Sequence, residues 1–197
     1  VSAIPHTVVV LPSCAEGAEA LLHQAIHRYA AERAAGRDGE SYVFFVGREG
    51  YPVHWVENAS YPWGKAQILR EGKDVVLVSC GPLLSKAIEA GERLAQESIE
   101  ATVINHPFIN RVDVETIGGA VQASGGRLVT LEDHQVACGM GAQLSHALAR
   151  AGITHRLHSL GIPGEFGQSA YVAEHLYRHH GLTADKVMEA AQSLLKG

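Results

Sequence analysis

Arg48 is the residue best placed for ligand chemistry on sequence grounds. It stands in Gly47-Arg48-Glu49, directly after the apolar run 42–46, and ligands of α/β sheets gather at the C-terminal edge of parallel strands. A guanidinium there presents a planar fork of donors that suits a phosphate; the alternative is a salt bridge to Glu49 or another neighbouring carboxylate. A second group, Glu132-Asp133-His134, lies at the charged end of the apolar run 128–131. A histidine beside carboxylates can be held in one tautomer and serve as acid or base. Adjacent strand residues point to opposite faces, however, so the plainer expectation is that these groups cap the next turn and meet a neighbouring domain or subunit, with His134 kept as a substrate-channel residue. Third, Gly139-Met140-Gly141 opens a helix. Its backbone amides could cradle a phosphate, but Ser145 stands where a dinucleotide fingerprint would have its third glycine, and tight helix–strand packing is the other reason to place glycine there.

Other reactive residue types form no recognisable pattern. His23 and His27, and likewise His175 and His179, are spaced one helical turn apart, which can hold a metal only where a third ligand converges. No third ligand is identifiable in the sequence, so both pairs are expected on solvated helix faces and no metal site is expected. Cys14, Cys80 and Cys138 have wide, unrelated spacings, which fits reduced, buried thiols better than disulfides or zinc. Ser79, Ser85 and Ser169 lack a G-x-S-x-G setting, so no catalytic residue is expected in this segment.

These candidates need a scaffold, and the apolar pattern supplies one. A strand over 8–11, a helix over 15–35 with Leu21, Leu22, Ile26 and Tyr29 on one face, and a strand over 42–46 make one parallel, right-handed βαβ crossover. Residues 51–72 carry two tryptophans and break the periodicity, so they read as a linker wrapped against something large. From residue 74 the rhythm resumes, with strands over 75–79, 100–104, 127–131 and 154–159, helices between them, and a last helix that starts after Ala184 and runs to Leu195. The expected fold is α/β: a three-layer domain with a mostly parallel sheet, preceded by a partial βαβ unit. The expected divisions are 1–55, a linker at 56–72, and a domain at 73–197. About 50 residues build too little core to stand alone, so residues 1–55 are expected to belong to a larger domain, and the absence of an initiator Met fits a chain that starts partway through.

With 16 basic and 21 acidic residues and a net charge of −5, there is no footprint for nucleic acid. No stretch approaches a membrane span, and the start VSAIPHTVVV has no basic n-region. The expectation is a soluble, cytoplasmic protein.

The order Glu132-Asp133-His134, Gly139-Met140-Gly141, Gly161-Ile162-Pro163, Phe166-Gly167-Gln168-Ser169 and His180-Gly181-Leu182-Thr183, with DVVLVSCGPLL at 74–84, resembles the C-terminal domain of the transketolase family. That family also includes deoxyxylulose-phosphate synthase and the β subunits of 2-oxoacid dehydrogenases. The resemblance implies that residues 1–55 are the tail of the pyrimidine-binding domain. It implies a whole enzyme that transfers a two-carbon ketol unit between sugar phosphates with thiamine diphosphate and Mg or Ca, and Arg48 stands where transketolases bind the sugar phosphate. It also implies a homodimer whose cofactor domains lie elsewhere in the same chain or in a separate subunit. The family's Gly-Asp-Gly segment with a downstream Asn is absent, since Arg37-Asp38-Gly39-Glu40 lacks the leading glycine; this segment alone is therefore expected to bind no cofactor and to be inactive. Gly161–Ser169 is expected to be mainly structural, with Phe166 as its anchor.

Overall fold

A computed structural model describes residues 1–48 and 50–196. The N-terminal unit is β1 (Thr7–Val10), α1 (Ala15–Ala34) and β2 (Ser41–Phe44), with β1 and β2 paired in parallel as a two-stranded sheet. The Cys14 Sγ accepts from the Gly17 amide at 3.4 Å and so caps α1. Leu21 is buried, whereas Leu22, Ile26 and Tyr29 are exposed. The expected apolar face of α1 is thus only partly covered, because two strands offer too narrow a sheet to bury a 20-residue helix.

The main sheet has the order β3-β5-β4-β6-β7, from β3 (Gln67–Arg70), β4 (Val75–Ser79), β5 (Ala101–Asn105), β6 (Arg127–Gln135) and β7 (Arg156–Ile162). All pairings are parallel except that of β3, an antiparallel edge strand. β4 and β5 are buried along their whole length, as strands covered on both faces must be. The pleat sorts their side chains by parity. Val75 and Leu77 join Leu83, Ala87, Ala90 and Leu94 on the side of α2 (Leu84–Gln96) and Val187 and Ala191 of α6 (Ala184–Lys196). Val76 and Val78 join Ile117 and Val121 of α3 (Val114–Ala123) and Leu144 and Leu148 of α4 (Met140–Arg150). α5 (Ala173–His179) lies between β7 and α6 in the chain. The three layers and the mostly parallel sheet agree with the sequence expectation. Among the described residues no helix is long and apolar enough to cross a membrane.

The stretch expected as a linker contributes β3, whose four residues are too short a run to show a period. The rest of it is packed. Trp55 Nε1 donates to the Ser13 carbonyl at 3.0 Å, Gln24 Nε2 to the Tyr61 carbonyl at 2.8 Å, and Trp63 meets Tyr42 and Phe108 edge to face. Asp113 caps α3 through the Thr116 amide and accepts from the Ala66 amide at 3.0 Å, which fixes the entry to β3.

β1 joins the two sheets. Leu11 N donates to the Pro107 carbonyl at 2.8 Å and Ile109 N to the Val9 carbonyl at 3.0 Å, around a bridge between Val10 and Phe108. Phe108 is fully buried among Val8, Val10 and Leu21. Phe108→Ala therefore empties the seam and is expected to cost about 3–5 kcal/mol, read as a lower urea midpoint with coincident fluorescence and circular dichroism transitions.

Candidate functional site

β6 continues four residues past its expected end because Glu132 is taken into the protein. The residue is fully buried. Its Oε2 accepts from the Met140 amide at 2.6 Å and its Oε1 from the Gly141 amide at 3.1 Å. These are the first amides of α4, where orphan donors and the positive end of the helix dipole favour an anion. His134, two residues along and on the same face, places Nε2 2.6 Å from Glu132 Oε2, while its Nδ1 lies 3.5 Å from Asp133 Oδ1. Glu132 thus caps the following turn, as the plainer sequence expectation had it. The three side chains also form one ion-paired group, although strand neighbours start out toward opposite faces.

The same contact explains the two glycines. A Cβ at Gly139 would overlap Glu132 Oε2 and lie 2.7 Å from the Gln135 carbonyl oxygen, and one at Gly141 would overlap Thr130 Oγ1. The helix N-terminus is filled by the protein's own carboxylate, so Gly139–Gly141 packs against a strand and cradles no phosphate.

Burial opposes a charge on His134, but its hydrogen bonds to Asp133 and Glu132 and the charges of both outweigh burial and push its pKa up to about 9. The imidazolium stands between two cavities. One, of about 400 Å³, is lined by Gly47, Tyr51, Pro82, Asp133, His134 and Cys138 among others. The second, of about 410 Å³, is lined by His134, Gln135, Gln168, Tyr177 and His180 with their apolar neighbours. Tyr51 Oη accepts from the Gly47 amide at 3.1 Å and holds the turn after β2 against the first cavity. Burial, followed by the nearby charge of Asp133, pushes its phenol above the ordinary range.

Arg48 follows Gly47 on this turn, and its Nη2 donates to the Tyr171 carbonyl at 3.3 Å. The candidate salt-bridge partner Glu49 lies outside the described residues. The ends of β2 and β6 therefore face each other across one cleft, which His134 lines directly and Arg48 adjoins through its neighbour Gly47. Two expectations change. Cys14 and Cys80 are buried, but Cys138 is exposed because it sits on the turn that leads into α4. Phe166 is 97% exposed and anchors nothing, since the segment after β7 runs outside the sheet. Glu165 and His180, not marked by the sequence pattern, are gathered by the fold beside His179, while His175 stays out of the group; the signal was the pair His179-His180, not the spacing of one helical turn.

The unfolded chain's histidine titrates near 6.5 and the folded His134 at about 9. This group thus stabilises the fold fully below about 6.5, and its contribution fades as pH rises through about 9. An NMR titration is expected to show a His134 midpoint near 9 that falls toward the ordinary histidine value in Asp133→Asn. Gly139→Ala, which forces the chain away from Glu132, is expected to cost about 1–3 kcal/mol in chemical unfolding.

Residues 64–187 match the family described as "Transketolase, C-terminal domain". A 1-deoxy-D-xylulose-5-phosphate synthase of Desulforudis audaxviator is 37% identical over 67% of this chain and 21% of its own length. A putative transketolase C-terminal section of Methanocaldococcus jannaschii is 29% identical over 71% of this chain and 43% of its own. One of the polypeptides of an apulose-4-phosphate transketolase of Actinobacillus succinogenes is 28% identical over 79% of this chain and 50% of its own. The chain thus spans from about a fifth to half of these curated relatives. Among solved structures, a split gene transketolase described as an inactive beta4 tetramer superposes with a TM-score of 0.80 at 28% identity, over 99% of this chain and 59% of that one. With the family's profile covering well over half of its residues, the chain belongs to the transketolase C-terminal domain family.

Proposed function

We propose that this chain is the C-terminal part of a thiamine-diphosphate-dependent transketolase, an enzyme that transfers a two-carbon ketol unit between sugar phosphates. In this reading residues 1–55 are the tail of a pyrimidine-binding domain, 56–72 the connection and 73–197 the C-terminal domain, working in the cytoplasm as a homodimer. The observation that carries the reading is the cleft of about 400 Å³ between the ends of β2 and β6, with Gly47 beside Arg48 on one wall and Asp133 and His134 on the other. An open cleft at the C-terminal edge of parallel strands is where substrates of such sheets bind.

The residues present do not fit the cofactor. A diphosphate needs free backbone amides or a cation, and the helix N-terminus nearest the cleft is already closed by Glu132. Thiamine diphosphate, which stabilises the carbanion in enzymes of this kind, and its Mg or Ca would therefore be held by domains elsewhere in the chain or in a separate subunit, and this chain alone would be inactive. Its own contribution is the substrate's phosphate end. Both nitrogens of His134 are engaged by carboxylates, so in this reading Arg48 supplies the charge that meets the phosphate, while His134 with Asp133 shapes the channel.

The test is to combine the protein with the polypeptide carrying the cofactor domains, thiamine diphosphate and Mg, and to assay ketol transfer. Activity should require both components. Arg48→Ala should raise KM for a phosphorylated acceptor by about tenfold to a hundredfold, the worth of a charged hydrogen bond, with kcat nearly kept. An equal loss with the unphosphorylated acceptor would remove the assignment of Arg48. A second reading, part of a 1-deoxy-D-xylulose-5-phosphate synthase, is favoured by the 37% identity to that enzyme; formation of that product in the same mixture, without ketol transfer, would replace the first.

A further inference from the structure

A second cluster of ligating groups lies beyond the cleft, where the segment after β7 meets the end of α5. One ring nitrogen each of His179 and His180 and a carboxylate oxygen of Glu165 lie within 4.8 Å of one another. We propose that Glu165, His179 and His180 bind a divalent transition-metal ion of the zinc class, which fastens the segment after β7 to the end of α5. Two imidazoles and one carboxylate are a donor set that zinc accepts, with a fourth position left for water. Imidazole suits zinc and its neighbours far better than magnesium or calcium, so this site is distinct in chemistry from any hard-cation site that serves a diphosphate.

The supports of the three ligands are in place. Glu165 is held through its backbone, since Gln135 Nε2 donates to the Glu165 carbonyl at 2.7 Å and Gln135 Oε1 accepts from the Gly164 amide at 2.9 Å. The His180 side chain is 7% exposed, and its ring meets that of His179 edge on, with centroids 4.8 Å apart. His180 Nδ1 already lies 3.7 Å from Glu165 Oε2. Zinc ligands about 2.1 Å from the ion stand roughly 3.4 Å from one another. The remaining closure is within reach of side-chain rotation, because the Glu165 carboxylate is half exposed and free to turn. The carbonyl end of α5 adds its partial negative charge, which favours a cation. Since Gln135 directly follows His134 on β6, the fastened segment would also close one side of the second cavity.

The test is calorimetric titration of tag-free protein with ZnCl2 near neutral pH, in parallel with Glu165→Gln, His179→Ala and a His23→Ala/His27→Ala control that removes the helical pair on α1. The expected result is one saturable equivalent that excess MgCl2 does not displace. Glu165→Gln and His179→Ala should each weaken it by about tenfold or more, and the α1 control should leave it unchanged. Zinc should also slow hydrogen exchange in residues 163–172 of the parent protein and not in His179→Ala. Absence of a saturable equivalent overturns the proposal, as does binding that survives in Glu165→Gln and His179→Ala or that disappears in the α1 control.

Discussion

The buried carboxylate of Glu132 is the constraint on which the functional end of this fold depends. An ion removed from water without partners costs several kcal/mol, and Glu132 avoids that cost by taking two amides of α4 and the imidazole of His134. Each partner imposes a condition. The amides must come close, so the residues that carry the turn have no side chain at Gly139 and Gly141. The imidazole must lie on the same face of the strand, so β6 stays extended through His134 instead of ending where its apolar residues end. The start of α4, the length of β6 and the position of His134 all follow from one internal ion.

The second organising contact is the seam at β1. This strand is bonded to β2 on one edge and to the 107–109 segment on the other, and the ring of Phe108 is inserted among residues of the βαβ unit. The small N-terminal unit therefore borrows core from the larger sheet, which is how so short a piece is held in a definite place. What it cannot bury remains outside: Leu22, Ile26 and Tyr29 on α1, and Phe45, Val46 and Val53 after β2. Exposed apolar residues of this kind suit contact with further protein, in keeping with the proposal that residues 1–55 are the end of a larger domain.

The central strands were legible in the sequence because burial on both faces writes itself as short runs of apolar and β-branched residues, VVLV at 75–78 and ATVI at 101–104. β3 was not, because Gln67–Arg70 is an edge strand whose pairing is set by tertiary contacts of its neighbours with Asp113. The candidate site was half legible. Arg48 and His134 stood out by residue type and position. Their surroundings did not, because a charged triplet reads as a strand end and a Gly-x-Gly reads as a ligand cradle until the carboxylate that fills it is located. The Glu165, His179 and His180 group was hidden for a related reason: its members come from two elements, and the helical spacing of His175 and His179 pointed to the wrong pair.

In the proposed function the electrostatics of the cleft also divide the work between its walls. The Glu132, Asp133 and His134 group carries two carboxylates and one imidazolium, so at neutral pH it offers no surplus positive charge to an anionic ligand, and the protonated state of His134 exists because both neighbours are acidic. This wall can exclude a phosphate or shape the channel for the uncharged part of a sugar. In the proposed reading, attraction of the phosphate comes from the turn after β2, which carries Arg48. On that proposal a sugar phosphate would enter with its phosphate toward β2 and its polyol toward β6, since the reverse orientation would set phosphate against Asp133. In that reading Asp133, held in the group that Glu132 and His134 complete, would set the orientation of the substrate.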